Sequence, residues 1–422
     1  MSLTGTDKKS RRLRALCVGA GVAAVSTAAY AWWYFNHVCQ VPRVYSAKGS
    51  DVQKIMAGVA NLWKPYRPAF FLPNTHQQTI AGVFRRSIAS CFEREEVRLS
   101  DGGTCALDWF KDSKDLSRWK DDVPIVIVMH GLTGMLCQHV VVRCAPHFCQ
   151  LDNDSSGCCR SPSAHGSCCC LKIHMPGAEM IAFMLNGLIL GQPSEQHTMA
   201  GGSHEGYCHW MCQTAYEGGW RSLVLIYRGC SGLRLTAPKG YCGAVADDVH
   251  VVMNLVKKRC PAAPLFCSGY SLGGAMLCKY MSESDAPDGP GSQLLAAAVV
   301  SAPVCLAASN KNLSRAWTLP WVFNLVLAYR LRMYAVEHAK CFEGHPTVDD
   351  KLVMGGTTIE DFEQATICQV FGFSSLEAYY KAGSPLTHIP ELRTKTLILL
   401  SEDDPFVGYE LILVKGRLCC LL

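Results

Sequence analysis

The sequence predicts an α/β fold with a mostly parallel central sheet, and three observations lead to this prediction. From about residue 95 to residue 401, apolar runs of strand length alternate with segments of helical spacing, which is the order of repeated βαβ units. One run, Val123–Met129, is apolar throughout, as is typical of a central strand buried on both faces. The chain has 422 residues, 49% of them hydrophobic, which suits one large domain and an appendage.

The appendage is a predicted membrane anchor at Ala15–Phe35, an apolar run without charged residues. At ~1.5 Å per residue the run is long enough to span a bilayer, and its last aromatic residues are typical of a membrane interface. Basic residues precede it, which favours a cytosolic N-terminus at residues 1–14 and a single-pass type II protein of the endoplasmic reticulum or another secretory-pathway membrane. A cleaved signal peptide and a mitochondrial transit peptide remain alternatives.

The formal net charge of +5 arises from this basic cluster, and the rest of the chain is near neutral. Because no dispersed basic face is left, nucleic acid is an unsuitable partner. The 24 cysteines are scattered, without a C-x-x-C pair repeated at zinc spacing, so we expect no metal site and treat a cysteine-based metal or redox protein as a weak alternative. The basic cluster consists of Lys8, Lys9, Arg11, Arg12 and Arg14.

We expect a linker at residues 36–66 and the α/β domain at residues 67–422. It opens with a hairpin, in which Glu95–Leu99 and Cys105–Phe110 flank a glycine-containing turn. Parallel strands and crossover helices then surround the central strand. Strands are predicted at Ser222–Tyr227, Leu265–Ser268, Ala296–Ser301 and Thr396–Ser401, and helices at Ala246–Lys257 and Ala275–Met281.

Two stretches interrupt this order. Residues 305–381 (Cys305–Lys381) are helical in pattern and rich in aromatic residues, which favours a helical lid over the carboxyl ends of the strands, where open α/β sheets bind ligands. Additional core helices without a gating role are the alternative. Residues 135–201 (Met135–Gly201) have no sustained periodicity and many cysteines, and a compact domain rarely holds so long a structureless loop. We therefore treat this second stretch as an atypical insertion.

The strongest chemical signal is Gly269-Tyr-Ser-Leu-Gly273, which fits G-x-S-x-G between a predicted strand and a predicted helix. In that context a sharp turn exposes the serine hydroxyl above the sheet, and the glycines leave room for the turn. The motif predicts an α/β-hydrolase fold with Ser271 as the nucleophile. A purely structural glycine-rich turn is the alternative.

A second motif, His130-Gly-Leu-Thr-Gly134, follows the central strand and predicts an oxyanion hole. The expected donors are the backbone N–H groups of Leu132 and Leu272, which would face the charge that develops on a carbonyl oxygen under attack. His130 precedes the serine, whereas the order on this fold is serine, acid, histidine. We therefore interpret His130 as an organiser of the loop and not as the general base.

The acid of a catalytic triad is expected after the last predicted strand, where Asp403 and Asp404 stand. The histidine should come later, but the 18 residues after Asp404 contain none. His388 precedes the acid, and we interpret it as a loop residue. On these grounds the general base is expected to be absent from this chain, which would leave the serine a poor nucleophile.

Together these motifs resemble the YheT-like α/β-hydrolases, which include the abhydrolase-domain proteins one, two and three and the plant embryogenesis-associated esterases. The resemblance extends from about Arg67 to Val407, and several independent motifs in one order make it specific. The matching segments are Asn74–Ile80, His130–Gly134, Gly202–Tyr207, Gly219–Ser222, Arg228–Gly232, Gly269–Gly274, Phe371–Tyr380 and Asp403–Phe406.

The resemblance implies a hydrolase of carboxylic esters, acting on acylglycerols, phospholipids or simple esters, without a cofactor and often with an N-terminal anchor. It places the acid on Asp404. It also implies that residues 135–201 are an insertion and that the chain diverges after about residue 408, where the family continues into a G-G-H-x-G segment. We interpret both departures as retained intron sequence or a splice variant. The rival hypothesis is a catalytically inactive hydrolase fold that binds a lipid or a protein partner.

Overall fold

The computed structural model describes residues 5–43, 63–83, 91–132, 201–401 and 403–407, with side chains from residue 16 onward. Most of the predicted linker, residues 135–200 of the predicted insertion, and the tail after residue 407 lie outside the described residues. The predictions made for those segments therefore remain predictions. The described part contains the sheet, the crossover helices and the segment predicted as a lid.

A seven-stranded sheet forms the centre of the domain, in the order β1-β2-β4-β3-β5-β6-β7. β2 runs antiparallel to both of its neighbours, and β3 to β7 pair in parallel. This confirms the predicted mostly parallel sheet and the opening hairpin, with strand ends within a few residues of the prediction. The strands are β1 Phe92–Arg98, β2 Thr104–Phe110, β3 Ile125–Met129, β4 Arg221–Ile226, β5 Leu265–Tyr270, β6 Leu294–Val300 and β7 Lys395–Leu399.

The helices of the described residues fall into an N-terminal helix, one helix before the sheet, the crossovers and the excursion between β6 and β7. Both helices predicted within the sheet region are present and somewhat longer than expected. In chain order the helices are α1 Gly5–Trp33, α2 Thr75–Val83, α3 Gly206–Glu217, α4 Asp247–Arg259, α5 Leu272–Asp285, α6 Leu306–Leu313, α7 Leu319–Glu337, α8 Ala339–Phe342, α9 Asp350–Gly355, α10 Ile359–Phe362, α11 Cys368–Phe371, α12 Leu376–Gly383 and α13 Pro385–His388.

The main core lies on both faces of the sheet. Every residue of β3 and β4 is buried, as their apolar runs predict for central strands covered by helices on both sides. β2, predicted only as a strand of the hairpin, is also buried throughout, although it contains Asp108. Buried side chains of α4 and α5, such as Val252 and Leu277, cover the sheet. The carboxyl ends of β3 and β5 lie side by side, because Met129 pairs with Gly269. The segments that follow these two strands are therefore neighbours.

The excursion from α6 to α12 is helical, as predicted, and contains an apolar cluster of its own around Phe323 and Leu327 of α7. Leu132, from the loop after β3, and Phe406, from the segment after β7, pack against this cluster. The excursion thus covers the carboxyl-terminal edge of the sheet, where the predicted site residues lie.

The N-terminal helix continues through a π-helical turn at Tyr34–Val38. Its segment Leu16–Val38 is the one stretch of the described chain that is long and apolar enough to cross a membrane, and none of its best window is buried. The Tyr34 hydroxyl donates to the carbonyl oxygen of Pro68, and the Tyr30 hydroxyl donates to that of Phe70 at 2.6 Å. These bonds attach the end of the apolar helix to the segment that enters the domain.

Candidate active site

Ser271 occupies the sharp turn between β5 and α5. Its backbone has φ 52° and ψ −121°, a conformation that residues with a side chain rarely adopt and that costs on the order of 1–3 kcal/mol. The turn is held from both sides: the Ser271 N–H donates to the Val300 oxygen at 2.9 Å, and the Gly274 N–H donates to the Ser271 oxygen at 2.9 Å. Strain at a half-buried serine that begins a helix is the geometry expected of a nucleophile turn.

The flanking glycines are required because backbone atoms stand where their side chains would be. A Cβ at Gly269 would lie 2.6 Å from the Gly273 oxygen, and a Cβ at Gly273 would lie 2.5 Å from the His130 oxygen. Real Cβ atoms do not approach so closely. The G-x-S-x-G pattern therefore reflects both the turn itself and the close approach of the His130 loop.

Leu132 and Leu272, the predicted oxyanion donors, belong to these two adjoining segments. Leu272 is the first residue of α5, and Leu132 lies in the loop that follows β3. The Leu132 side chain contacts both the main core and the cluster of the helical excursion. The structure thus brings the two residues to the same edge of the sheet beside Ser271.

His130 is fully buried, with its ring 4.1 Å from the ring of Tyr227. Its Nδ1 lies 2.8 Å from the Gly131 oxygen, and because a carbonyl only accepts, Nδ1 must carry the proton. Burial lowers the pKa of His130 to about 4, so the ring is neutral at physiological pH. These contacts fit the interpretation of His130 as an organiser of the loop.

Asp404 is buried after β7, whereas Asp403 is exposed. One carboxylate oxygen of Asp404 accepts the N–H of Phe406 at 2.8 Å and that of Val407 at 3.3 Å. Burial raises the pKa of Asp404 to about 6. The phenyl rings of Phe406 and Phe323 lie 5.5 Å apart, so the segment after β7 also contacts the helical excursion. Of the two candidates, Asp404 has the environment of an orienting acid.

Within the part of the chain that the structure describes, no histidine forms a hydrogen bond with Ser271 or Asp404. His388 instead places Nε2 2.7 Å from the Ala382 oxygen, which fits its interpretation as a loop residue. The ring of His76, on α2, lies 6.1 Å from the ring of Phe323, and burial lowers the pKa of His76. No metal-binding group of histidine, cysteine or acidic side chains occurs among the described residues.

The sequence did not point to Tyr207, Tyr227 and Tyr241, whose hydroxyl groups bond to the backbone of residues 130–132. The three tyrosines come from separate segments, 76 to 109 residues away from their partners. Such long-range contacts leave no periodic signal. Tyr207 does end one of the motif segments, which is the only hint that the sequence offers.

Comparisons with known proteins find related hydrolases. The family model described as "Serine aminopeptidase, S33" (Hydrolase_4) matches residues 239–411. An abhydrolase domain-containing protein of Dictyostelium discoideum is 27% identical over 347 residues, which cover 81% of this chain and 68% of that protein. The human phospholipase ABHD3 is 24% identical over 391 residues, which cover 92% of this chain and 78% of that protein.

Among solved structures, one match is brefeldin A esterase, described as a bacterial homologue of human hormone sensitive lipase. The match covers 91% of this chain and 78% of the esterase chain, at 11% identity and a TM-score of 0.37. The fold is assigned from the strand order, which is that of an α/β-hydrolase sheet with one antiparallel strand. By its strand order the chain has an α/β-hydrolase fold, and by its sequence it is related to the abhydrolase proteins, among them the phospholipase ABHD3.

Proposed function

We propose that this protein is a membrane-anchored serine hydrolase of carboxylic esters, with Ser271 as its nucleophile. The observation that supports this most is the strained backbone of Ser271, directly beside the loop of residues 130–132. Strain of this kind persists only where the surrounding structure holds it in place, and it clusters at active sites.

In the proposed reaction the Ser271 hydroxyl attacks the ester carbonyl and an acyl-enzyme forms. The N–H groups of Leu132 and Leu272 stabilise the negative charge on the carbonyl oxygen in the tetrahedral intermediate. The alcohol leaves, and water then releases the acid. Asp404 would orient and charge-stabilise the histidine that takes the serine proton, a residue that we expect to be absent from this chain.

The proposed substrates are lipid or short-chain esters: acylglycerols, phospholipids or simple esters. The apolar cluster that Leu132 and Phe406 share with the helical excursion offers a surface for an acyl chain next to the proposed oxyanion hole. One matched relative, human ABHD3, is a phospholipase by name. No bound group is required for the proposed chemistry.

The proposed location is a membrane, with the helix Leu16–Val38 as a signal anchor. The basic residues before it support a cytosolic N-terminus and a domain on the opposite side. An anchor of this kind would hold the site close to lipid substrates.

The second candidate is an inactive hydrolase fold that binds a lipid or a partner. The observation that favours it is that no described histidine bonds to Ser271 or Asp404. Hydrolysis of p-nitrophenyl butyrate and of a monoacylglycerol, with Ser271→Ala as control, separates the two. Turnover that requires Ser271 supports the hydrolase. If no form of the chain shows turnover, including one with an added histidine segment, the binding protein is supported.

A further inference from the structure

The loop of residues 130–132 is held by three tyrosine hydroxyl groups, each on a different part of its backbone. The Tyr227 hydroxyl donates to the His130 oxygen at 3.0 Å, and the Gly131 N–H donates to the Tyr207 hydroxyl at 2.9 Å. The Tyr241 hydroxyl donates to the Leu132 oxygen at 2.8 Å.

These bonds fix the peptide groups on both sides of the one that contains the Leu132 N–H. The His130 oxygen and the Gly131 N–H belong to the preceding peptide, and the Leu132 oxygen belongs to the following one. The Gly131 oxygen, in the same peptide as the Leu132 N–H, faces His130 Nδ1. Because the oxygen and the N–H of a trans peptide point in opposite directions, this arrangement sets the direction of the Leu132 N–H.

The three tyrosines are themselves held in place. Tyr227, Tyr241 and Tyr207 are 2%, 8% and 4% exposed. The rings of Tyr227 and Tyr241 stack at 5.3 Å, and the ring of Tyr207 lies 4.6 Å from that of Tyr270, the residue before Ser271. Burial raises the pKa of Tyr227 and Tyr241 well above 10, so both hydroxyls remain protonated and able to donate.

We propose that Tyr207, Tyr227 and Tyr241 are positioning residues that aim the Leu132 N–H at the oxyanion of the reaction. The inference rests on the proposed function, since it assigns the oxyanion hole to Leu132. It also predicts that the three tyrosines affect the transition state more than substrate binding, because a hydrogen bond to the developing oxyanion contributes more to the former.

The test compares Tyr227→Phe and Tyr241→Phe with Tyr334→Phe in the full chain. Tyr334 is a matched control because it is also buried and its hydroxyl also donates to a backbone oxygen, that of Arg228 at 3.0 Å, but not within the loop. Each variant loses one buried hydroxyl bond of the same kind. Equal changes in unfolding midpoint would establish that all three variants are folded to the same extent.

The first readout is labelling of Ser271 by a fluorophosphonate, whose phosphoryl oxygen would occupy the oxyanion hole. We expect the maximal labelling rate of both loop variants to fall about 10- to 100-fold, with the half-saturating probe concentration nearly unchanged. Tyr334→Phe should label within about 3-fold of the unaltered chain. A purely structural role would affect all three variants alike and would overturn the proposal.

The second readout is hydrogen exchange of the peptide that contains residues 125–132, which requires no activity. Exchange of the loop amides should accelerate in both loop variants and not in Tyr334→Phe. Unchanged exchange overturns the proposal whatever the labelling. If Ser271→Ala labels like the unaltered chain, the proposed nucleophile fails instead. If no form labels, as the expected absence of a base allows, the exchange result alone decides whether the tyrosines hold the loop.

Discussion

Gly273 lies so close to His130 that a Cβ on the glycine would be 2.5 Å from the histidine's carbonyl oxygen. The Met129 oxygen would be only 2.6 Å away. Both neighbours are backbone atoms at the end of β3, a buried central strand, so neither can move without disturbing the sheet. This contact joins the turn of the proposed nucleophile to the loop of the proposed oxyanion hole.

Gly273→Ala should therefore destabilise the domain. Overpacking of this kind typically lowers the free energy of unfolding by about 1–3 kcal/mol, and rigid backbone neighbours place this site at the upper end. Gly206→Ala is the control, because it also changes a glycine at the start of a helix, but its Cβ would meet nothing closer than 3.8 Å. Urea denaturation of both variants measures the difference, and equal midpoints would show that the contact is looser than described.

Ser271→Gly should be more stable than Ser271→Ala. The positive φ of Ser271 is strained for any residue with a Cβ, and glycine removes a strain of about 1 kcal/mol or more. At Ser268, within β5, the same pair should rank in reverse, since glycine weakens an ordinary strand. Thermal unfolding of the four variants provides the comparison. An alanine variant at position 271 that is as stable as the glycine variant would argue against the strained turn.

Asp404 and Glu363 should each contribute a fall in the free energy of unfolding as the pH rises from about 4 to about 7, whereas the buried His130, whose pKa is lowered, contributes in the opposite direction. Burial raises the pKa of Asp404 from 3.8 to about 6 and that of Glu363 from 4.5 to about 7. Raised pKa values in the folded state mean that the stabilisation is complete below the unfolded pKa and is lost as the pH passes the folded one.

Glu363→Gln isolates one part of this dependence. One oxygen of the Glu363 carboxyl group accepts the hydroxyl of Tyr380 at 2.7 Å, and the other accepts that of Tyr379 at 3.3 Å. An uncharged glutamine amide can accept from one hydroxyl through its oxygen and donate to the other through its nitrogen. Between about pH 4.5 and 7, the slope of the free energy of unfolding against pH should be less negative for the variant than for the unaltered chain. Glu377→Gln, at an exposed position of the same helical excursion, should keep the original slope. Identical slopes in all three proteins would contradict the prediction.

The anchor can be tested by its orientation. If the basic cluster keeps the N-terminus in the cytosol, protease added to sealed microsomes should spare the hydrolase domain until detergent is present. Digestion without detergent would contradict the orientation. Release of the domain into the soluble fraction would contradict the anchor and favour a cleaved signal peptide.

The sheet was largely predictable because most of its strands are apolar runs bounded by residues that favour turns. The prediction ended β5 at Ser268, whereas the strand continues to Tyr270 through its pairing with β6. It also began the next helix at Ala275, whereas α5 starts at Leu272. Gly273 and Gly274 lower the helix propensity of that turn, but close packing against β3 and β6 requires them there.

The candidate site was only partly predictable. Ser271, Leu132, Leu272 and Asp404 each follow the end of a strand, which a motif can mark. What holds them is not local: the Tyr241 hydroxyl reaches Leu132 across 109 residues, and Phe323 meets Phe406 from a different part of the chain. Contacts of that range depend on the folded sheet and leave no pattern in the sequence.

The proposed nucleophile is tested most directly by locating a fluorophosphonate label on the protein. Three forms are compared: the 422-residue chain, a form that lacks residues 135–201 and carries a family-like G-G-H segment after Asp404, and that second form with Ser271→Ala. Without a base, oxyanion stabilisation and binding alone sustain only about 10³–10⁴-fold rate enhancement over water.

We predict rapid labelling of the edited form, with the label on the peptide that contains Ser271, slow labelling of the 422-residue chain, and none in the Ser271→Ala variant. Undiminished labelling of the alanine variant would contradict the assignment of the nucleophile. Labelling of the 422-residue chain as fast as the edited form would show that another base serves, and His388 would be the first residue to replace.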